Sequence, residues 1–319
     1  MKIQLFPPLS FQEMGHRSNQ EDALWPAHGM ASSNSRLFIV CDGMGGHEHG
    51  EVASQTVATT MGRFLEEKME AGVTLSDDLL REALNEAYNQ LDEKDQQGDV
   101  RKMGTTLTLV AFHQGGATMA HIGDSRIYHL RPSQRRVLYQ SRDHSLVMDL
   151  YLAGELTREE VDSYERKNVI TRAMQPHLER RPKADIVHTT DILPGDVFML
   201  CSDGVLEQLT NDDLIRLFSD EKSSDGKKCR RLLELTADNA DNHSAYLLHI
   251  AEVQQEPGDN DAPNDESRSR SNMMVLEQQL LKEQSTSQTS PTRNPSRKPS
   301  TASSTASSWL SRMWAKIVK

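Results

Sequence analysis

Apolar positions follow two rhythms along roughly the first 250 residues. Short unbroken runs have strand length. "RLFIVCDG" (36–43) reads as a buried strand that stops at Asp42-Gly43, and "VFMLCSDG" (197–204) repeats the design. The segments "EVASQTVATTMGRFLEEKME" (51–70) and "SDDLLREALNEAYNQLDEKDQQ" (76–97) space their apolar residues for helices. Ser76 is placed to cap the second, with acidic residues in its first turn. "TTLTLVAFHQGGATMAHIGDSRIYHLRP" (105–132) divides into three strands at Gly115-Gly116 and Gly123-Asp124-Ser125. "SAYLLHIAEV" (244–253) is a closing strand directly after Asp241-Asn242. Strands come as adjacent hairpins rather than in strict strand–helix–strand alternation. This predicts an α+β fold, layered around mainly antiparallel sheets.

The pattern breaks near residue 251, where "AEVQQEPGDNDAPNDESRSRSN" is too polar to offset the entropy of ordering. Beyond it, "MMVLEQQLLKE" (273–283) has the pattern of a short helix, and 285–308 is a low-complexity Ser/Thr-rich stretch, basic where charged. The last segment, "WLSRMWAKIVK", interleaves Trp309, Met313 and Ile317 with basic residues. The predicted organisation is a folded domain over 1–252, a disordered linker over 253–308 and a short amphipathic basic segment over 309–319. A net charge of −11 argues against a nucleic-acid binder. Three scattered cysteines make neither a disulfide framework nor a zinc ribbon and suit a reducing compartment. With no signal-like start and no run of membrane-spanning length, a soluble cytoplasmic monomer is expected. The terminal segment offers at most a weak contact with a protein or an anionic membrane surface.

Candidate chemistry lies at the strand ends. Asp42, Asp124, Asp203 and Asp241 each sit at the mouth of an apolar strand, three beside glycine and one beside asparagine. A single Asp-Gly pair is usually a turn. Four in matching contexts point instead to a hard cation, Mg²⁺ or Mn²⁺, which takes carboxylate, carbonyl and water oxygens. Without a cation, converging carboxylates would raise one another's pKa. Other sites fit worse. None of the cysteines is followed by arginine at the spacing of a thiolate phosphatase, the glycines of 43–50 do not form a P-loop, and "HEH" (47–49) lacks a third ligand at metal spacing. Cys41 and Cys201 read as small buried strand residues, and His144 as a structural contact.

The blocks "RSNQEDA" (17–23), "VCDGMGGHEHGEVAS" (40–54), "GTTLTL" (104–109), "HIGDSRIY" (121–128), "SRDHSLVMDLYLAGELTREE" (141–160), "VITRAM" (169–174), "LPGDVFMLCSDGVLEQLTNDDL" (193–214) and "DNHSAYLLHI" (241–250) occur in this order. Together they resemble the metal-dependent protein phosphatases of the protein phosphatase 2C (PPM) family, in their bacterial form. The resemblance covers about residues 10–252. It implies a central antiparallel β-sandwich flanked by α-helices, with a two-metal centre at one end. By the same resemblance Asp42 bridges the metals and the Gly43 carbonyl is a ligand to one of them. Asp203 and Asp241 would hold one metal, and Glu21 or Asp22 would reach the other through water. Asp124 would help to hold a third, weaker metal, and Arg17 would clamp the substrate phosphate. Cations sharing a water lower its pKa toward neutrality, so the implied reaction is hydrolysis of phosphoserine and phosphothreonine in proteins. A partner Ser/Thr kinase is the implied counterpart, and it could also modify the Ser/Thr-rich tail.

The chain departs from the family pattern in several places. Gln20 replaces the usual asparagine before the acidic pair, and Met44 replaces the histidine that serves eukaryotic members as a general acid, leaving water or His47 as the proton donor. "ADNA" (237–240) creates a second Asp-Asn pair, so Asp238 rivals Asp241, which is favoured because it directly precedes the strand. In the flap region (about 144–180) Tyr164-Glu165 stands where His-Pro is frequent. The competing expectation is a pseudophosphatase, a binding module that keeps the fold without turnover. Arg17, Asp42, Asp203 and Asp241 argue against it.

Overall fold

A computed structural model describes residues 1–45, 49–95, 103–164 and 169–254. The expectations for residues beyond 254, and for His47 and Glu165, lie outside the described residues. Along the chain run β1 (Lys2–Leu5), β2 (Leu9–Glu13), β3 (Asp22–Trp25) and β4 (Leu37–Met44), then helices α1 (His49–Glu70) and α2 (Asp77–Lys94). Next come β5 (Gly104–Thr105), β6 (Leu107–His113), β7 (Gly116–Ile122), β8 (Arg126–Arg131) and β9 (Arg136–Gln140). The short helices α3 (Leu146–Leu152) and α4 (Arg158–Ser163) follow, then β10 (Asp185–Thr189), β11 (Val197–Cys201), α5 (Asn211–Phe218), α6 (Asp225–Leu235) and β12 (His243–Gln254). The strands form two antiparallel sheets. One has the order β1-β12-β11-β8-β9 with β2 also on β12, and the other has β10-β7-β6-β4-β3 with β5 on β4.

Strand periodicity explains the layering. In β4, Leu37, Ile39 and Cys41 face α1 and α2, where they pack with Val57, Met61, Leu80 and Leu84. Phe38 points the other way, against Tyr246 of β12 at 5.2 Å between ring centroids, and Phe112 of β6 meets Phe198 of β11 edge-on at 5.2 Å. These aromatic pairs join the two sheets. The outer face of the β11–β12 sheet packs Met199 and Leu247 against Leu214 and Phe218 of α5 and Leu232 of α6. Because both faces of the central strands are covered, their sequences read as continuous apolar runs rather than alternating ones. The expected α+β sandwich between helices is the observed fold.

The helix expected over 51–70 begins at His49, and the second is capped where expected, with Ser76 Oγ accepting from the Leu79 N–H. One expectation needs correction. The strand at 36–43 does not stop at Asp42-Gly43: it continues to Met44, because Gly43 and Met44 pair with Thr105 and Gly104. Asp42 is therefore held inside a sheet rather than on a turn. β1, β2, β3, β9 and β10 are short or mixed in polarity and left no clear apolar signal.

Candidate active site

Five aspartates lie at strand ends on one side of the sandwich. Antiparallel pairing sets the start of β3 beside the end of β4, so Asp22 lies directly opposite Asp42 in the register. Across the sandwich, Asp203 follows β11 and Asp241 precedes β12, while Asp124 sits in the turn between β7 and β8. Like charges facing one another across strands are unfavourable, so something must compensate here.

Asp42 is fixed through its backbone and Asp22 through its carboxylate. The Asp42 N–H donates to Thr106 Oγ1 at 2.9 Å, and the Asp42 carbonyl accepts from the Thr106 N–H and the Thr105 hydroxyl, both at 2.9 Å. Thr106 Oγ1 also meets Ser125 Oγ at 2.7 Å, tying the Asp42 strand to the Asp124 turn. Ser202 donates to Asp22 Oδ2 at 2.8 Å, and Ser202 Oγ in turn accepts from the Ser244 N–H at 3.0 Å. Gln20 braces the start of β3: its Oε1 accepts from the Asp22 N–H and its Nε2 donates to the Glu13 carbonyl, each at 2.9 Å. Asn242 organises the rim, accepting from the Glu21 N–H at 2.7 Å and donating to the carbonyls of Met14 and Asn19.

Electrostatically this is a strained anionic cluster. Burial, then the neighbouring charges of Asp22, Asp203 and Asp124, raise Asp42 well above the usual carboxylate range. Burial pushes Asp22 up to about 7 and, reinforced by Asp203, pushes Asp124 up to about 8. Asp203 is raised as well, chiefly by burial. Asp22 Oδ1 and Asp124 Oδ1 are buried without a hydrogen-bond partner. An all-oxygen set with unpartnered buried oxygens fits a hard divalent cation.

Gly43 is required by close approach. A Cβ there would collide with the backbone carbonyls of Gly50 and Glu21, so position 43 must be bare. The same packing separates the two acidic candidates. The Glu21 carboxylate lies over the first turn of α1, where a Cβ on Gly50 would stand 2.5 Å from its Oε2, whereas Asp22 points among the aspartates. Arg17 lies at the exposed rim, its Nη2 2.6 Å from Asp241 Oδ2. Glu207 accepts from the Ala240 and Asp241 N–H groups at 3.0 Å, aligning that loop. Of the two Asp-Asn pairs, Asp238 is exposed, and its neighbour Asn239 is buried with Nδ2 donating to the Gly204 carbonyl at 2.6 Å.

Cys41 and Cys201 are buried, and burial raises both thiols far from reactivity. A second cluster, which sequence reasoning did not assemble, joins His121, His144 and Asp185, with candidate ligand atoms within 4.8 Å of one another. Its hydrogen bonds disfavour a cation. His144 Nδ1 accepts from the Gly123 N–H at 3.1 Å, so its Nε2 carries the proton and donates to Asp185 Oδ2 at 3.2 Å. The Arg172 guanidinium holds the same carboxylate at 3.2 Å, and the two rings are stacked 4.6 Å apart rather than convergent. His144 is thus a structural contact, as expected. Thr106, Ser202 and Asn242 were missed as supports because their sequence signal is only position beside the acidic motifs.

A sequence model described as "Protein phosphatase 2C" matches residues 16–224. A putative protein phosphatase 2C-type of Streptococcus pyogenes is 31% identical over 215 residues, covering 67% of this chain and 85% of that protein. The serine/threonine protein phosphatase PstP of Mycobacterium tuberculosis is 30% identical over 219 residues, 69% of this chain but 39% of that protein. Among solved structures, the M. tuberculosis phosphatase PstP/Ppp superposes with a TM-score of 0.65 at 27% identity, over 78% of this chain and 100% of that one. The PstP catalytic domain solved in complex with two manganese ions gives 0.62 at 26% identity, over 79% and 100%. Among the described residues no helix is long and apolar enough to cross a membrane. With residues 16–224 matched and a solved serine/threonine phosphatase superposing over 78% of the chain, the chain belongs to the protein phosphatase 2C family of metal-dependent serine/threonine protein phosphatases.

Proposed function

We propose that this chain hydrolyses phosphoserine and phosphothreonine in proteins, opposing a Ser/Thr kinase, at the carboxylate cluster between the sheets. The observation that carries the reading is the convergence of Asp22, Asp42, Asp124 and Asp203, with buried oxygens of Asp22 and Asp124 left unpartnered. Mg²⁺ or Mn²⁺ would be held by Asp42, the Gly43 carbonyl, Asp203 and Asp241, with Asp22, favoured over Glu21, acting through water and Asp124 toward a third ion. When bound, the cations supply a water deprotonated near neutral pH and offset the charge of the phosphate.

The protein's own contributions are positioning and charge. Arg17 at the rim presents a planar fork that can take two phosphate oxygens, orienting phosphorus toward the aspartates. Thr106 and Ser202 lock Asp42 and Asp22, so no reorganisation is needed as charge shifts toward the leaving oxygen. Met44 has no proton to give, so the seryl or threonyl oxygen takes one from water or from His47. Cys41, Cys201 and Cys229 are free thiols, which supports a reducing cytoplasmic setting.

The test is phosphate release from a phosphothreonine peptide by the full chain with Mn²⁺. Asp42→Ala and chelation with EDTA should each remove it, and sugar phosphates should be poor substrates. Equal release by wild type and Asp42→Ala would sink the proposal.

A further inference from the structure

His144 sits behind the Asp124 turn and touches it twice. The His144 N–H donates to the Gly123 carbonyl at 2.9 Å, and the Gly123 N–H donates back to His144 Nδ1 at 3.1 Å. Both polar groups of the residue before Asp124 therefore end on one histidine. The turn has little slack, because Gly123 has φ +106° and a Cβ there would stand 2.6 Å from Thr106 Cγ2. On its other side His144 meets the segment returning after α3 and α4. Its carbonyl accepts from the Thr171 N–H at 2.8 Å, and its Nε2–H donates to Asp185 Oδ2, a carboxylate that Arg172 also holds. Next to it, the Leu146 N–H donates to the Val169 carbonyl at 2.8 Å, closing the base of α3 on the same returning segment. The ring is 2% exposed and stacked on His121, so it has no freedom to swing between partners.

We propose that His144 is a positioning residue that ties the base of α3 and the returning segment 169–172 to the Asp124 turn. One imidazole holds both in register, each nitrogen serving one side. The inference rests on the proposed reading of Asp124 as a cation ligand. The two halves can be separated by substitution. Asparagine places an amide oxygen near the position of Nδ1 and keeps an acceptor for Gly123, while glutamine places an N–H near Nε2 and keeps a donor for Asp185.

The experiment compares full-length wild type, His144→Ala, His144→Asn and His144→Gln by Mn²⁺ titration calorimetry and by kcat and KM on a phosphothreonine peptide. His144→Ala should weaken the weakest Mn²⁺ site about tenfold, the scale of one lost buried hydrogen bond. His144→Asn should recover that affinity to within about threefold while raising KM more than it lowers kcat, and His144→Gln should not recover it. If His144→Ala does not fold, the contrast between the Asn and Gln variants carries the test. Equal Mn²⁺ affinity in wild type and both of those variants, or rescue by Gln as good as by Asn, overturns the link. A wild type that binds Mn²⁺ but releases no phosphate overturns the proposed function instead.

Discussion

At the scale of single residues, the site is a balance between carboxylates that repel and hydroxyls that hold them still. Asp42 shows the repulsion, since burial and its neighbours Asp22, Asp203 and Asp124 all disfavour its charge. Asp42→Asn should therefore make the EDTA-treated protein more stable, by on the order of 1 kcal/mol, while removing activity with Mn²⁺. Thermal melts with and without chelator would check both signs. Thr106 shows the restraint. Thr106→Val keeps the shape but leaves the Asp42 N–H without its 2.9 Å acceptor. It should cost about 1–3 kcal/mol in denaturant unfolding. At the proposed phosphate clamp, Arg17→Lys keeps the charge but loses the fork, and should raise KM for phosphopeptide about tenfold with a smaller effect on kcat. Asp42, Asp203 and Asp241 were legible in sequence because an acidic residue beside a small one, at the end of an apolar run, has few other uses in combination. Their hydroxyl supports were not, because serine and threonine are common and their partners lie far along the chain.

At the scale of elements, β4 decides most of the site. Its continuation through Gly43 to Met44 carries Asp42 into a sheet, opposite Asp22 on one side and beside Thr105 and Thr106 on the other. The run 36–43 announced the strand but not its end, since the pairing that extends it comes from Gly104 and Thr105, about sixty residues away. Gly43→Ala should be costly despite an ordinary backbone conformation, because the added carbon has nowhere to go between Gly50 and Glu21. A loss of about 1–3 kcal/mol is expected, read from the denaturation midpoint. The last strand has a similar lesson. The composition break near 251 falls inside β12, whose Val253 and Gln254 pair with Ile3 and Lys2. The edge strand β1 was silent in sequence, so the outer limit of its partner was hidden too.

At the scale of the whole molecule, a second charged network holds the sandwich far from the aspartates. Asp196, before β11, is buried, yet hydrogen bonds from His129, Arg131 and the Leu193 N–H outweigh burial and bring it down to about 2. Its folded pKa is below the unfolded value, so its contribution is complete above about pH 4 and is lost as pH falls toward 2. Lowering this carboxyl from its ordinary value to about 2 is worth about 2 kcal/mol. Asp196→Asn should lower stability at pH 7 and flatten its dependence between pH 4 and 2, measured by urea unfolding across that range.

What the sequence determined by itself is what local pattern can encode: the buried strands, the two long helices with the Ser76 cap, and the aspartates at strand mouths. Those signals are short-range, set by side-chain period and by turn chemistry. Only the tertiary structure set Asp22 opposite Asp42 in the strand register and laid Glu21 over the first turn of α1. It also put Asp238 at the surface and Asp241 beside Arg17, and brought His144 behind Asp124. Each of these depends on contacts between residues distant in the chain, which become neighbours only when two sheets stack and their strand ends meet.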